Sequence, residues 1–279
     1  MRIAIPSYNR PNQIKTHLML EKAGVDYVIV LHNEEERAGY LMNPTINPSK
    51  IVVSNAPLGM PSARQWMVDN LVAEGEWLFN MDDNISGFSG LPLGFHDRDF
   101  VPARTDKNIY QLFKNHLTVH ELLDIAQHMI LRAETDGISY AGFSAFDNPY
   151  FREKHWMRSG LVVGKMTLIQ RQRDLRFDTE HLHTLDDYQY TAENLLRRGQ
   201  VLVNKFVFPL AKHYEKGGCG TYPEREQAKI KDCAYLMRKY PGLFRYHKKA
   251  GQHPHSELAF RLYSQQSINN WRKTMMGGK

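Results

Sequence analysis

The chain has 279 residues, 42% hydrophobic and 24% charged, with a net charge of +6. That is enough for one large domain, or one domain with an appendage. No apolar run reaches the roughly 18 residues that a membrane span needs, and Met1-Arg2 leads directly into a strand-like run, so no membrane association and no signal peptide is expected. Two cysteines, Cys219 and Cys233, give neither a disulfide framework nor a zinc spacing, which points to the cytoplasm.

Arg2–Ile5 reads as a first strand, broken by Pro6-Ser7-Tyr8-Asn9-Arg10-Pro11. Asn12 to Gly24 has helical spacing through Ile14, Leu18 and Ala23, and Tyr27–Leu31 is a second strand. Together they predict a β-α-β unit, whose first loop is where such units usually hold a nucleotide. Asn33 to Lys50 is polar and loop-like with a short helix, and Ile51–Ser54 is a third strand. A turn over Pro57 to Ser62 precedes a helix from Ala63 to Ala73. Arg64 falls in its first turn, where the helix dipole disfavours a cation. It is either there for a phosphate or base, or simply exposed.

Trp77–Met81 is an apolar run of strand length ending in Asp82-Asp83-Asn84. Acid and amide oxygens at a strand end suit Mg²⁺ or Mn²⁺ on a phosphate. They equally suit a solvated turn or a helix N-cap. Ser86 to Asn115, with its glycines and prolines, is expected to be a lid or substrate-facing insertion. Thr118-Val119-His120-Glu121 is a capping box opening a helix to about Thr135, and Ile138–Phe143 follows as a strand. Leu161–Ile169 is another strand. Asp186-Asp187 opens a helix that Gly199 closes. Val201–Leu210 is one more strand, and Glu224 to Lys239 a helix with cations at its C-terminal end.

From Arg238 onward, nine basic residues face one acid, Glu257, a surplus of eight that leaves the rest of the chain at about −2. A basic tail on a near-neutral body suggests a polyanionic partner, with a solubilising surface as the alternative. Aromatics are interleaved with the cations. Phe244 and Trp271 look apolar-facing, and Tyr246 is the best placed to meet a base.

Five motifs occur in a distinctive order: IPSYNRP after the first strand, GMPSARQ before a helix, MDDN at a strand end, LDDY opening a helix, and H-x₃-GG after a later strand. This set resembles the GT-A class of nucleotide-sugar glycosyltransferases. It looks most like the phage and TET/JBP-associated branch that glycosylates hydroxymethylated bases in DNA. The likeness covers about Met1 to Thr221. It implies an α/β, Rossmann-like GT-A mixed sheet flanked by helices over residues 1–221, with a basic helical extension over 222–279.

The resemblance also implies a site. Pro6, Ser7, Tyr8 and Arg10 would hold the base and ribose of a UDP-sugar, with Arg64 also on the nucleotide. Asp82 and Asn84, with Asp83 between them, occupy the acidic metal motif, and His213 would complete a Mn²⁺ or Mg²⁺ site. Asn84 departs from the usual acid, so either Asp83 takes over or the metal is held more weakly. Ser159 and Gly160 would line the sugar pocket. Asp187, beside Asp186, matches the acceptor base of inverting members, although charge at a helix N-terminus alone also justifies both acids.

The function so implied is transfer of glucose or arabinose from a UDP-sugar to the hydroxymethyl group of 5-hydroxymethylcytosine in double-stranded phage DNA, in the cytoplasm of the infected bacterium. Arg238, Lys239, Arg245, Lys248, Lys249, Arg261, Arg272 and Lys273 would then form the DNA-backbone surface. The alternatives are a GT-A enzyme acting on a glycan or lipid, and a metal-dependent nuclease or DNA-binding module.

Overall fold

The computed structural model describes residues 1–96, 111–144, 156–211, 222–247 and 253–277. Its first half is a parallel, doubly wound unit. β1 (Arg2–Pro6), β2 (Val28–Leu31), β3 (Ile51–Val53) and β4 (Trp77–Met81) pair in the order β3-β2-β1-β4, all parallel. The helices Thr16–Lys22, Glu34–Leu41 and Met60–Leu71 make the crossovers. Every residue of β2 and β4 is buried, which is why both strands read as continuous apolar runs rather than alternating ones.

The second half adds antiparallel strands. β7 (Tyr140–Phe143) and β4 both flank the antiparallel β9 (Met166–Gln170). β10 (Leu202–Asn204) pairs parallel to β7, and β8 (Trp156–Met157) closes the edge antiparallel to β10. The result is an eight-stranded mixed sheet in a Rossmann-like α/β fold, with helices on both faces. Helix Val119–Thr135 packs on one face. Helices Met60–Leu71 and Asp186–Arg198 pack on the other.

A second sheet, in the order β11-β5-β6, is built from β5 (Ile85–Gly90), β6 (His116–Leu117) and β11 (Val207–Ala211). Two expectations change here. The start of the supposed lid is strand β5, and its end leads into β6, while residues 97–110 lie outside the described residues. The stretch Val201–Leu210 is two strands in two sheets, not one. Asn204 accepts the Phe206 N–H on its side-chain oxygen at 2.8 Å, and this local bond ends the first ladder and turns the chain.

The region read as a strand from Leu161 becomes one only at Met166. The extension is also not purely helical. Helix Tyr222–Lys239 is followed by a hairpin of β12 (Phe244–Tyr246) and β13 (Leu258–Phe260), then helix Gln265–Gly277. Cys233, Leu236, Tyr240, Phe244, Ile268 and Trp271 share one apolar cluster with Tyr140, Ile169, Leu195 and Val203 of the core. Among the described residues, no helix is long and apolar enough to cross a membrane.

Candidate active site

The connections from β1 run outward to β2 and β3, then return to place β4 on β1's other side. A crevice opens where the strand order reverses, at the carboxyl ends of β1 and β4. The Pro6–Arg10 loop leaves β1 there, and Asp82-Asp83-Asn84 leaves β4.

Asp83 ties these two segments together. Its buried carboxylate accepts from Ser7 Oγ at 2.7 Å and Arg10 Nη1 at 3.2 Å. Tyr40 braces the same loop: its hydroxyl hydrogen-bonds Ser7 Oγ at 2.7 Å and accepts from Arg10 N at 3.1 Å. Burial pushes the Asp83 carboxyl up from its ordinary value, and the Ser7 and Arg10 contacts oppose that shift. The Asp83 carbonyl accepts from Lys15 N at 2.8 Å and Thr16 N at 3.2 Å, which satisfies the start of helix Thr16–Lys22. Asp83 therefore organises the loop from inside, with Ser7 and Arg10 on its two carboxylate oxygens. Tyr8 lies half-buried, edge-on to His32 with ring centroids 6.1 Å apart, and Pro6 is the buried last residue of β1.

Arg64 is not a solvent-facing nucleotide contact in this structure. Its side chain is 6% exposed and forms a buried ion pair with Asp186. Its Nη2 donates to the Gly164 carbonyl at 2.7 Å and lies 3.7 Å from Asp82 Oδ1. The helix opens at Met60 and not Ala63, so Arg64 sits in its second turn, and carboxylates arriving from β4 and from a helix 122 residues further on balance its charge. Asp186 is 2% exposed and engaged by Arg64, whereas Asp187 is only half-buried.

Gly164 is the junction of this cluster. Its carbonyl also accepts from Asn80 Nδ2 at 3.1 Å, and its N–H donates to Asp187 Oδ2 at 3.1 Å. A Cβ at this position would lie 2.6 Å from Arg64 Nη2. The other Asp187 oxygen accepts from Tyr188 N at 3.0 Å, so two backbone donors fix this carboxylate.

One guanidinium thus faces three carboxylates, Asp186, Asp82 and Asp187. Burial disfavours the Arg64 charge, but Asp186 and then Asp82 outweigh it and hold the group protonated. Burial pushes Asp82 up to about 7, with Arg64 opposing and Asp83 adding to the rise. Burial, then the neighbouring Asp186 charge, pushes Asp187 up to about 6. Asp82 keeps 31% of its side chain exposed. Of the three, Asp82 alone stands at the open strand end, where a carboxylate is the ligand type a hard divalent cation takes.

Asn84 is half-buried immediately before β5. His213 lies outside the described residues, as do Lys248 and Lys249. Among the described residues, no three His, Cys, Asp or Glu side chains converge as a metal site.

Ser159 and Gly160, expected in the sugar pocket, follow β8. β8 runs antiparallel to β10, and the Arg158 carbonyl accepts from Val201 N at 3.2 Å. That pairing sets Ser159 just past β8, the edge strand of the sheet, four strands along from β4. There its hydroxyl donates to the Tyr263 carbonyl at 3.0 Å, and Gly160 takes a φ of 96°.

The eight tail cations also divide. Arg238, Arg245, Arg261 and Lys273 are exposed. Lys239 instead pairs with Asp178 at 3.0 Å and lies 3.8 Å from Glu193. Arg272 donates to the Leu196 and Arg197 carbonyls at 2.8 and 3.1 Å, closing the C-terminal end of helix Asp186–Arg198. Tyr246, expected to meet a base, stacks on His255 at 4.5 Å, whereas Tyr263 is 62% exposed.

Sequence reading missed Gly164, Tyr40 and Asn80. A glycine between Val163 and Lys165 carries no local signal, Tyr40 falls in a stretch that reads as polar and loop-like, and Asn80 falls inside a strand. No protein-family model and no curated protein matches the chain. Among solved structures, the crystal structure of A197 from STIV is similar over 77% of this chain and 87% of that chain, at 10% identity and a TM-score of 0.34.

Proposed function

We propose that this chain is a GT-A glycosyltransferase that moves glucose or arabinose from a UDP-sugar to the hydroxymethyl group of 5-hydroxymethylcytosine in DNA. One observation carries the reading: the Asp187 carboxylate, pushed up to about 6, is held by two backbone N–H groups beside the Arg64–Asp186 pair. A carboxylate in that range accepts a proton from an acceptor hydroxyl more readily than an ordinary aspartate does. The crevice between β1 and β4, with Tyr8, Ser7 and Arg10 at its mouth, supports nucleotide binding on the same edge.

In this reading Asp187 takes the hydroxyl proton as the oxygen attacks the sugar's anomeric carbon from the face opposite the diphosphate. The carbon–phosphate-oxygen bond breaks, UDP leaves with the electron pair, and the anomeric configuration inverts. Asp82 and Asn84, with His213 as the expected third ligand, would hold Mn²⁺ or Mg²⁺, which would supply positive charge to the diphosphate. Arg64 orients Asp186 and opposes the rise that burial gives its carboxyl. Arg238, Arg245, Arg261 and Lys273 supply a basic surface for the DNA backbone.

The test is to incubate the protein with hydroxymethylated DNA and a panel of UDP-sugars, then measure the masses of the released nucleosides. A hexosyl or pentosyl increment on hydroxymethylcytosine is expected. Cleaved DNA with no nucleotide sugar present would select the nuclease reading. Transfer to a glycan or lipid but never to DNA would select the other acceptor class.

A further inference from the structure

Helix Asp186–Arg198 opens without a cap of its own. Its N-cap residue is Leu185, which among the described residues makes no side-chain cap bond. A helix start leaves backbone N–H groups that must find acceptors elsewhere. Here the acceptor comes from the extension. Asp232, in the middle of helix Tyr222–Lys239 and 0% exposed, places its carboxylate against the three residues that lead into the acidic pair. Its Oδ2 accepts from Thr184 N and Thr184 Oγ, both at 2.7 Å, and from His183 N and Leu185 N, both at 3.2 Å. Its Oδ1 lies 3.4 Å from His183 N.

We infer that Asp232 is a positioning residue for the acceptor base: by gathering the N–H groups of residues 183–185, it sets the point at which the chain enters the helix, and with it the direction of Asp187. This deepens, and rests on, the glycosyltransferase reading above. Asp232 touches no reacting atom. It fixes Leu185, two residues before Asp187, while Gly164 fixes Asp187 from the other side. A misplacement of a general base by about 1 Å costs on the order of 100-fold in rate. The helix that supplies this anchor also carries exposed Arg238. The extension therefore serves the chemistry directly, besides offering charge to a polyanion.

The experiment compares the full-length protein with Asp232→Asn and Asp232→Ala. Asp232→Asn keeps the shape, but the carboxamide presents two hydrogens to a nest of donors. Transfer kinetics are measured together with amide hydrogen exchange. Both variants are expected to lose on the order of 10- to 100-fold in kcat, with the KM for the UDP-sugar unchanged. Exchange in residues 183–187 should quicken by about tenfold or more while β1 to β4 keep their protection. Asp232→Glu is expected to restore part of kcat.

Unchanged kcat in a folded Asp232→Asn protein overturns the proposal, and so does unchanged exchange at 183–187. Equal loss of protection throughout the sheet also overturns it, because Asp232 would then be a general stability residue. If Asp232→Ala does not fold, Asp232→Asn decides. If the wild-type protein transfers no sugar at all, the glycosyltransferase reading fails by itself, and exchange confined to residues 183–187 still tests whether Asp232 sets this segment.

Discussion

Arg64 and Asp186 form a buried ion pair across 122 residues of sequence, joining the second turn of one helix to the first turn of another beside the end of β4. The pair fixes the geometry of the candidate site, because Arg64 also holds the Gly164 carbonyl, and Gly164 in turn holds Asp187. Removing one partner leaves a buried charge uncompensated. Arg64→Met is therefore expected to cost about 3 kcal/mol or more of stability. In Arg64→Met/Asp186→Leu part of that loss should return, since the most buried of the three carboxylates is removed with its cation. Denaturant unfolding of the two variants checks this, and a double variant no more stable than the single would show that the pair is not the determinant.

Asp187→Asn preserves shape and removes proton acceptance. Its kcat is expected to fall by about 100-fold or more, with UDP affinity nearly intact, as measured by single-turnover transfer and calorimetric titration. In the wild type, kcat/KM should climb as pH rises through about 6, where Asp187 ionises. A flat profile between pH 5 and pH 7, both roughly chosen to bracket that ionisation, would remove Asp187 as the base.

Stability should show the same carboxylates with the opposite trend. In the unfolded chain an aspartate titrates near about 4. Folded Asp187 and Asp82 hold their protons up to about 6 and about 7. Across that interval the folded state binds more protons than the unfolded one. The contribution of these groups is complete at the acidic end and lost as pH rises through the folded values. Burial lowers the pKa of His17, which works in the opposite sense, so the comparison must be between variants. Asp82→Asn is expected to flatten the decline of Tm with pH above about 4. A Tm profile parallel to the wild type would mean that Asp82 ionises normally.

Asp83→Ala releases both Ser7 and Arg10 from one buried acceptor. The expected effects are a stability loss of about 1–3 kcal/mol and a rise in the KM for the nucleotide sugar, with kcat changed less. Tyr40→Phe, which removes the hydroxyl bonded to Ser7 and Arg10, should act in the same direction and more weakly. If Asp83→Ala lowers kcat and leaves the donor KM alone, Asp83 belongs to the chemistry and not to the loop.

The four exposed cations and the two internal ones separate charge from packing. Changing Arg238, Arg245, Arg261 and Lys273 to Ala should lower the salt slope of log K for DNA by about 0.9 for each phosphate that is no longer neutralised. Lys239→Ala should leave that slope alone and reduce Tm, because it strips the cation from Asp178 and Glu193. Salt-dependent fluorescence anisotropy distinguishes the two classes. An unchanged slope in the fourfold variant would move the acceptor away from DNA.

The parallel half was legible because each strand is a continuous apolar run followed by turn chemistry, and β1 to β4 fall within a residue or two of expectation. The helix announced by Thr118 and Glu121 forms with both capping bonds in place, and Gly199 closes the last long helix of the core in the left-handed region, φ 82°. What could not be read are relations that no local pattern encodes. The small sheet pairs β5 with a strand some 120 residues later, at Phe88 and Pro209. Arg64 and Asp186 look like a misplaced cation and a helix-start acid until the fold brings them together. The apparent DNA cations Lys239 and Arg272 are indistinguishable in sequence from Arg238 and Lys273. Only the position of the Asp186–Arg198 helix decides which of them face water.

Gly164 serves three neighbours with two backbone atoms and leaves no room for a side chain. Substitutions at Asp187 or Asp82 can be graded, because an amide, a longer acid or a hydroxyl each keeps part of the original. Position 164 has no such gradation. Alanine is the smallest possible change, and it already drives an atom into the guanidinium that orders the cluster. A library randomised at this codon and selected for activity should return a single residue.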